Sequence, residues 1–235
     1  VLVDTKQIHF EALNKSLEKY KLKKISIDEH VKIFDGLPTA EKLNILNKKK
    51  ILPRKFFSKI SKYKQKITSN ILKKNIKKNK EIIKIMKYLS GKYKIAVATN
   101  AVNSTLKICL EKLGISKFVD FKLSNENVNK PKPNPEIYLR IFIEFGIYPS
   151  EALIIEDSHY GREAAISSGA KLLPIKNISE LKLKKIKLNL SSKKIINKKK
   201  ISWEDNKMNV LIPMAGAGKR FFDAGYVFPK PLIEV

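Results

Sequence analysis

One cysteine, Cys109, stands among 235 residues, so no disulfide framework holds this chain together and a reducing compartment suits it. Its place in a helical pattern makes it a small core residue rather than a nucleophile. No apolar run is long enough to span a bilayer, and no leader pattern opens the chain. The expectation is a cytoplasmic protein without a membrane partner. Acidic charge is scarce: 22 Asp and Glu face 49 Lys and Arg, a formal net charge of +27. Such an excess ordinarily points to nucleic acid or an anionic surface. Arginine, however, occurs only as Arg54, Arg140, Arg162 and Arg220. Its planar fork is what phosphate and base recognition favour, and the lysines run along the whole chain beside many Ile and Asn residues. That is compositional drift rather than a patch, and it argues against specific nucleic-acid binding.

What is present concentrates in Ala152-Leu-Ile-Ile-Glu-Asp-Ser-His-Tyr-Gly-Arg-Glu-Ala-Ala-Ile-Ser-Ser-Gly169. An apolar strand run ends in two carboxylates, then a hydroxyl, then a glycine opening an alanine-rich helix. Ligands of open α/β sheets bind outside the carboxyl ends of the strands. Glu156 and Asp157 there suit a hard cation such as Mg²⁺, although two acids at a strand-to-helix turn also serve as helix caps. Two more segments point to the same place. Lys94-Ile-Ala-Val-Ala-Thr-Asn100 is an apolar run ending in a hydroxyl and an amide before a helical pattern from Val102 to Leu113. Thr99, Asn100 and free N–H groups at that helix start suit an anion. Asn129-Lys-Pro-Lys-Pro-Asn-Pro135 is a proline-fixed loop presenting Lys130 before a helix over Pro135 to Phe145. Hydroxyl, ammonium and paired carboxylates on successive strand-helix units suit a metal-bridged phosphate.

With these residues in order, the chain resembles the haloacid dehalogenase superfamily in its phosphatase and phosphomutase branch. Thr99 matches that family's second motif, Lys130 its Lys before Pro-x-Pro, and Glu156-Asp157-Ser158-x-x-Gly161 its fourth motif. Val1-Leu-Val-Asp-Thr5 matches only the tail of the first motif, and the chain opens on Val rather than Met. The resemblance implies that the nucleophilic Asp lies before Val1 and that these residues alone hydrolyse no phosphate ester. In the complete protein it implies an aspartyl-phosphate cleaved by water. Mg²⁺ would be held by Glu156 and Asp157, with Thr99, Asn100 and Lys130 on the phosphate oxygens. Thr99, Lys130 and Asp157 are thus the catalytic candidates. The family's first strand lies between those ending at Thr99 and Glu156. Its absence should leave two strand edges facing a gap, filled by a segment such as Val210-Leu211-Ile212 or closed with distortion.

From Ile8 to Leu89 apolar residues recur at helical spacing, in segments beginning at Ile8, Asp28, Thr39, Pro53 and Lys80. A helical insert there resembles the family's mobile cap, which selects substrate. His9, Gly36 and Thr39 are the cap candidates for substrate contact. Phe34-Asp-Gly-Leu-Pro-Thr39 lies where related mutases carry a Ser-Arg pair that holds a second phosphate; Pro38-Thr39 stands here instead. The missing Arg favours hydrolysis, while Gly36 and Thr39 read equally as a turn and a helix cap.

Lys-rich residues 181–207 read as a linker. From Met208 onward, Asn209-Val-Leu-Ile-Pro-Met-Ala-Gly-Ala-Gly-Lys-Arg220 and then Pro229-Lys-Pro231 resemble the opening of sugar-nucleotide pyrophosphorylases. Gly216, Gly218, Arg220 and Lys230 match residues that hold nucleotide phosphates there, and residues 208–235 are too few for that domain. The expected architecture is α/β. A Rossmann-like parallel core (residues 1–7 and 90–180) carries an α-helical cap (about 8–89), followed by a basic linker and the start of a second α/β domain. The expected function is Mg²⁺-dependent hydrolysis of a small phosphorylated metabolite such as a phosphosugar or phosphoglycolate, with a nucleotide as a partner of the second domain. A β-phosphoglucomutase-like phosphomutase and a non-catalytic phosphosugar-binding module of a bifunctional nucleotidyltransferase remain open.

Overall fold

Helix ends in this chain are written in side chains that cap the backbone. Asn79 accepts from the N–H groups of Glu81 and Ile82 to start α5 (Lys80–Ser90), and Ser158 accepts from the N–H of Gly161 to start α8 (His159–Ser167). Each satisfies an amide that a helix start leaves orphaned. Gly114 (φ +72°) stops α6 (Asn103–Leu113), and Gly146 (φ +62°) stops α7 (Glu136–Phe145), both in the left-handed region that costs glycine nothing. The computed structural model describes residues 1–191. Gly216, Gly218, Arg220, Lys230 and the segment Val210-Leu211-Ile212 lie outside the described residues.

The insertion is built from α1 (Lys6–Lys19), the short α2 (Ile27–Glu29) running into a π-turn at His30–Phe34, α3 (Thr39–Lys48) and the first half of α4 (Phe57–Asn75). It has its own apolar centre, with Leu13, Leu17, Phe34, Leu46 and Ile60 fully buried. The insertion does not run to Leu89. The end of α4 and all of α5 belong to the core, where Leu72, Ile82 and Met86 pack with Leu106 and Leu110 of α6. Periodicity identifies an amphipathic helix but is blind to which body its apolar stripe meets.

Among the described residues four strands follow: β1 (Ala96–Ala98), β2 (Phe121–Leu123), β3 (Leu153–Glu156) and β4 (Lys171–Pro174), in two parallel pairs. β2 is not signalled by the sequence, because Phe-Lys-Leu is too short to display an alternation. The strands pair as β1 with β2, Ala96 opposite Phe121, and β3 with β4, Leu153 opposite Lys171. These are two separate two-stranded sheets. Between them and the insertion runs a cavity of about 720 Å³, lined by every residue of β1 and β3 and by none of β2 or β4. β1 and β3 both line this space and do not pair with each other. Neither flanking strand closes on the other.

Residues 181–191 are not a linker. α9 (Leu183–Ser191) follows β4, and Leu181 and Ile186 are buried against Ile85, Leu173 and Ile175. The lysines of this stretch hid an apolar stripe with a surface to cover. No helix among the described residues is long and apolar enough to cross a membrane.

Candidate functional site

β3 delivers Glu156 at its last residue, and the chain then turns through Asp157 and Ser158 into α8. Glu156 is 6% exposed. Its Oε1 accepts from Lys132 Nζ at 2.5 Å and from the Tyr138 hydroxyl at 2.5 Å. Burial and the neighbouring Glu156 charge push the Tyr138 phenol far up, so it remains a donor. Lys132 Nζ also donates to Ala98 O at the end of β1, at 3.0 Å. An ammonium has three N–H groups, so these two bonds leave one for a ligand in the cavity that Lys132 lines. The Lys132–Glu156 pair ties the carboxyl ends of the two half-sheets together.

The buried lysine is Lys132, not Lys130. Lys130 is exposed, and what it contributes is a backbone N–H to Glu136 Oε2 at 2.8 Å. That bond and its twin from Asn129 hold the Glu136 carboxyl below its usual range. The loop contains Lys-Pro-x-Pro in two overlapping registers, at Lys130 and at Lys132, and spacing alone does not choose between them. The chain's path chooses: Asn100 grips the Lys132 backbone from both sides. Asn100 Oδ1 accepts from Lys132 N at 3.0 Å, and Asn100 Nδ2 donates to Lys132 O at 2.9 Å and to Gly36 O at 3.0 Å. The Asn100 side chain is thereby a clamp between loop, core and insertion, and its amide has no donor left for an anion.

Thr99 Oγ1 accepts from Ala101 N at 3.0 Å, so its own O–H stays available to donate. The start of α6 is less open than the sequence suggested, because Glu126 Oε2 accepts from Asn103 N at 2.6 Å. Gly36 sits at φ +79°, and a Cβ there would meet Tyr160 Cδ2 at 3.3 Å and Ser158 Cβ at 3.5 Å. Glycine permits both the backbone conformation and the close approach of the insertion to α8. The cap of α3 is Pro38; Thr39 is the first helical residue, and its Oγ1 accepts from Lys64 Nζ at 3.1 Å. His9 Nδ1 lies 3.3 Å from the same ammonium, and burial, followed by the fields of Lys64, Lys42 and His30, lowers its pKa well below the usual value. Thr99, Lys132, Asp157, His9, Gly36 and Thr39 all line the one cavity.

The two adjacent acids separate in role. Glu156 meets Lys132 and Tyr138 through Oε1. Asp157 keeps about a fifth of its side chain exposed, and its Oδ2 meets the Val1 ammonium at 2.8 Å. A hard carboxylate lining the cavity suits Mg²⁺, which is usually held by one or two carboxylates together with substrate phosphate and water. No group of three or more His, Cys, Asp or Glu side chains gathers among the described residues to make an all-protein site. Lys132, Tyr138 and Lys64 were the residues that sequence reasoning missed. The second Lys-Pro register pointed to the first; nothing local pointed to the others.

Comparison with known proteins agrees with this geometry. The family model for haloacid dehalogenase-like hydrolases matches residues 1–175. A phosphorylated carbohydrates phosphatase of Thermotoga maritima is 32% identical over 174 residues, 72% of this chain and 77% of its own length. The fructose-1-phosphate phosphatase YqaB of Escherichia coli is 23% identical over 95 residues, 40% of this chain and 50% of its own. Among solved structures, a β-phosphoglucomutase from Clostridium difficile superposes with a TM-score of 0.68 at 20% identity, covering 81% of this chain and 92% of its own. CbbY from Rhodobacter sphaeroides, solved with phosphate, gives 0.67 at 18% identity, covering 74% and 81%. These structures share the fold. A match of that extent, over a strand-end cluster of this kind, makes the chain a member of the haloacid dehalogenase-like hydrolase family.

Proposed function

We propose that this hydrolase acts on the phosphate ester of a small phosphorylated carbohydrate, with Mg²⁺ as its metal. The observation that carries the reading is a buried ammonium, Lys132, with one N–H left after its bonds to Glu156 and Ala98. It lines the same cavity as Thr99, whose hydroxyl hydrogen has no acceptor among the hydrogen bonds of the described residues. The Thermotoga maritima relative, named for phosphorylated carbohydrates, supports the substrate class.

In this scheme Thr99 Oγ1–H and Lys132 Nζ–H donate to oxygens of the phosphoryl group. Glu156 and Tyr138 fix the lysine so that no reorganisation is needed when charge moves onto the leaving oxygen. Asp157 would hold Mg²⁺, which when bound neutralises the charge of the phosphoryl oxygens. The Asn100 clamp keeps the insertion seated over the cavity and limits water around the ester. No described residue is assigned to the attack on phosphorus. Glu156 is locked in its ion pair, and Asp157 is the metal candidate.

Calorimetric titration with fructose 1-phosphate and with free fructose tests the binding step without relying on turnover. The phosphate ester is expected to bind and the free sugar not. Thr99→Val should weaken the ester roughly tenfold, the scale of one hydrogen bond to a charged group. Equal binding of ester and free sugar, or indifference to Thr99→Val, would overturn the reading.

A further inference from the structure

Lysine is spread along the whole chain, but acidic residues are not. No Asp or Glu occurs between Glu41 and Glu81, a stretch that carries fifteen Lys and Arg. It holds most of α3, all of α4 and the turn into α5. Helices α1, α6, α7 and α8 each carry at least one carboxylate among their basic residues. Helix α4 carries six lysines and no acid.

Folding sorts the lysines of α4 by face. Ile60, Lys64, Thr68 and Leu72 recur every fourth residue and are buried. Lys59, Lys62, Lys66 and Lys73 follow one another at intervals of three, four and seven residues. At about 3.6 residues per turn, that spacing gathers them on the side opposite the buried row. All four are exposed, and none pairs with a described carboxylate. Lys62 and Lys66, one turn apart, repel each other. The stripe runs about 21 Å from end to end, at about 1.5 Å per residue.

The chemistry of the stripe selects its partner. Nucleic-acid surfaces combine positive charge with Arg forks and with exposed rings on which bases stack. Arg54 is the single arginine between Glu41 and Glu81, and the rings of α4 are engaged elsewhere. Phe57 packs on the apolar centre of the insertion, and the Lys19 ammonium lies 3.8 Å from the Tyr63 ring centre. Lysine is a compact, hydrated point charge on a flexible stem, which suits a diffuse layer of lipid headgroup charge. A straight row on one helix face can meet a flat anionic surface all at once. No large apolar side chain of α4 is exposed, so the helix has nothing to push into hydrocarbon.

We propose that the Lys59, Lys62, Lys66 and Lys73 face of α4 docks this protein on the surface of an anionic lipid bilayer, with the helix lying along the headgroups. The contact is purely electrostatic and therefore reversible by salt. It is independent of the phosphatase reading. The expectation of no membrane partner followed from the lack of a spanning run, and a basic helix face needs none.

The test is co-sedimentation with vesicles of phosphatidylcholine alone and of phosphatidylcholine with about one-third phosphatidylserine, at about 0.1 M and about 0.5 M salt. Binding is expected to the anionic vesicles at low salt only. Replacing the four lysines together (Lys59→Gln, Lys62→Gln, Lys66→Gln, Lys73→Gln) should weaken it by on the order of 10²–10³. A control of equal charge loss (Lys112→Gln, Lys117→Gln, Lys122→Gln, Lys182→Gln), at exposed lysines outside α4, should change it only a few-fold. Thermal melts report that both variants fold. No binding to anionic vesicles overturns the proposal, as does an equal loss in the two variants, which would assign the effect to net charge. A polyuridine oligonucleotide that binds more tightly than the vesicles at the same salt would give the face to nucleic acid instead.

Discussion

Replacing Lys132 by Met leaves the Glu156 carboxylate buried with only the Tyr138 hydroxyl as a partner. In the native chain the pair is nearly sealed from solvent, with side-chain exposures of 6% and 8%, so water cannot take over. Removing one member of such a pair typically costs about 3–5 kcal/mol. For a protein of this size each kcal/mol lowers the melting temperature by about 2–4 °C, and the variant should melt on the order of 6–20 °C lower. The mechanism is separated from simple loss of packing by a second substitution. Lys132→Met with Glu156→Leu removes both charges and should recover most of the loss, because an apolar replacement of a buried pair is often neutral or better. Urea unfolding of the native chain, the two single variants and the double variant closes the cycle. A Lys132→Met cost below about 1 kcal/mol, or two single costs that simply add, would refute the claim that the lysine's task in the fold is to neutralise Glu156.

Gly161→Ala should be nearly as damaging, because a Cβ there would stand 2.2 Å from Glu156 Oε2 and 2.4 Å from its Cδ. The carboxylate cannot swing away without leaving Lys132 and Tyr138, so thermal melting should show a loss beyond the usual overpacking cost of about 1–3 kcal/mol. Ile186→Ala tests whether residues after Leu181 belong to the core: with Ile186 2% exposed, chemical denaturation should report a loss of about 2–5 kcal/mol, against none for a linker. Stability should also follow the protonation of Lys64. Its folded pKa of about 7 lies below the ordinary lysine value of 10.5, so the unfolded chain binds more protons between those limits and stability rises with pH there, by about 1.4 kcal/mol per unit. Lys64→Met should flatten that slope in unfolding measured from pH 7 to 10; an unchanged slope would place the titration elsewhere.

Local chemistry was legible in the sequence wherever one segment carried it entirely. The run from Ala152 to Gly169 determined a strand, an acidic turn and a capped helix, because the Ser158 cap and the residues it serves are three apart in the chain. Glycines at 114 and 146 likewise ended their helices as written. Tertiary structure decided everything that required two distant segments to meet. It chose Lys132 over Lys130, since only the folded chain brings Glu156, Ala98 and Asn100 to one lysine of a loop that offers two equivalent registers. It gave the two adjacent acids different partners, Lys132 and Tyr138 for Glu156 and the Val1 ammonium for Asp157. It moved α5 from insertion to core and gave α9 a surface to cover, because a hydrophobic stripe states that something will be buried and not what will bury it. Lys42 and Lys64, two of many lysines in the sequence, became distinctive only when folding removed them from water without an acid to meet them.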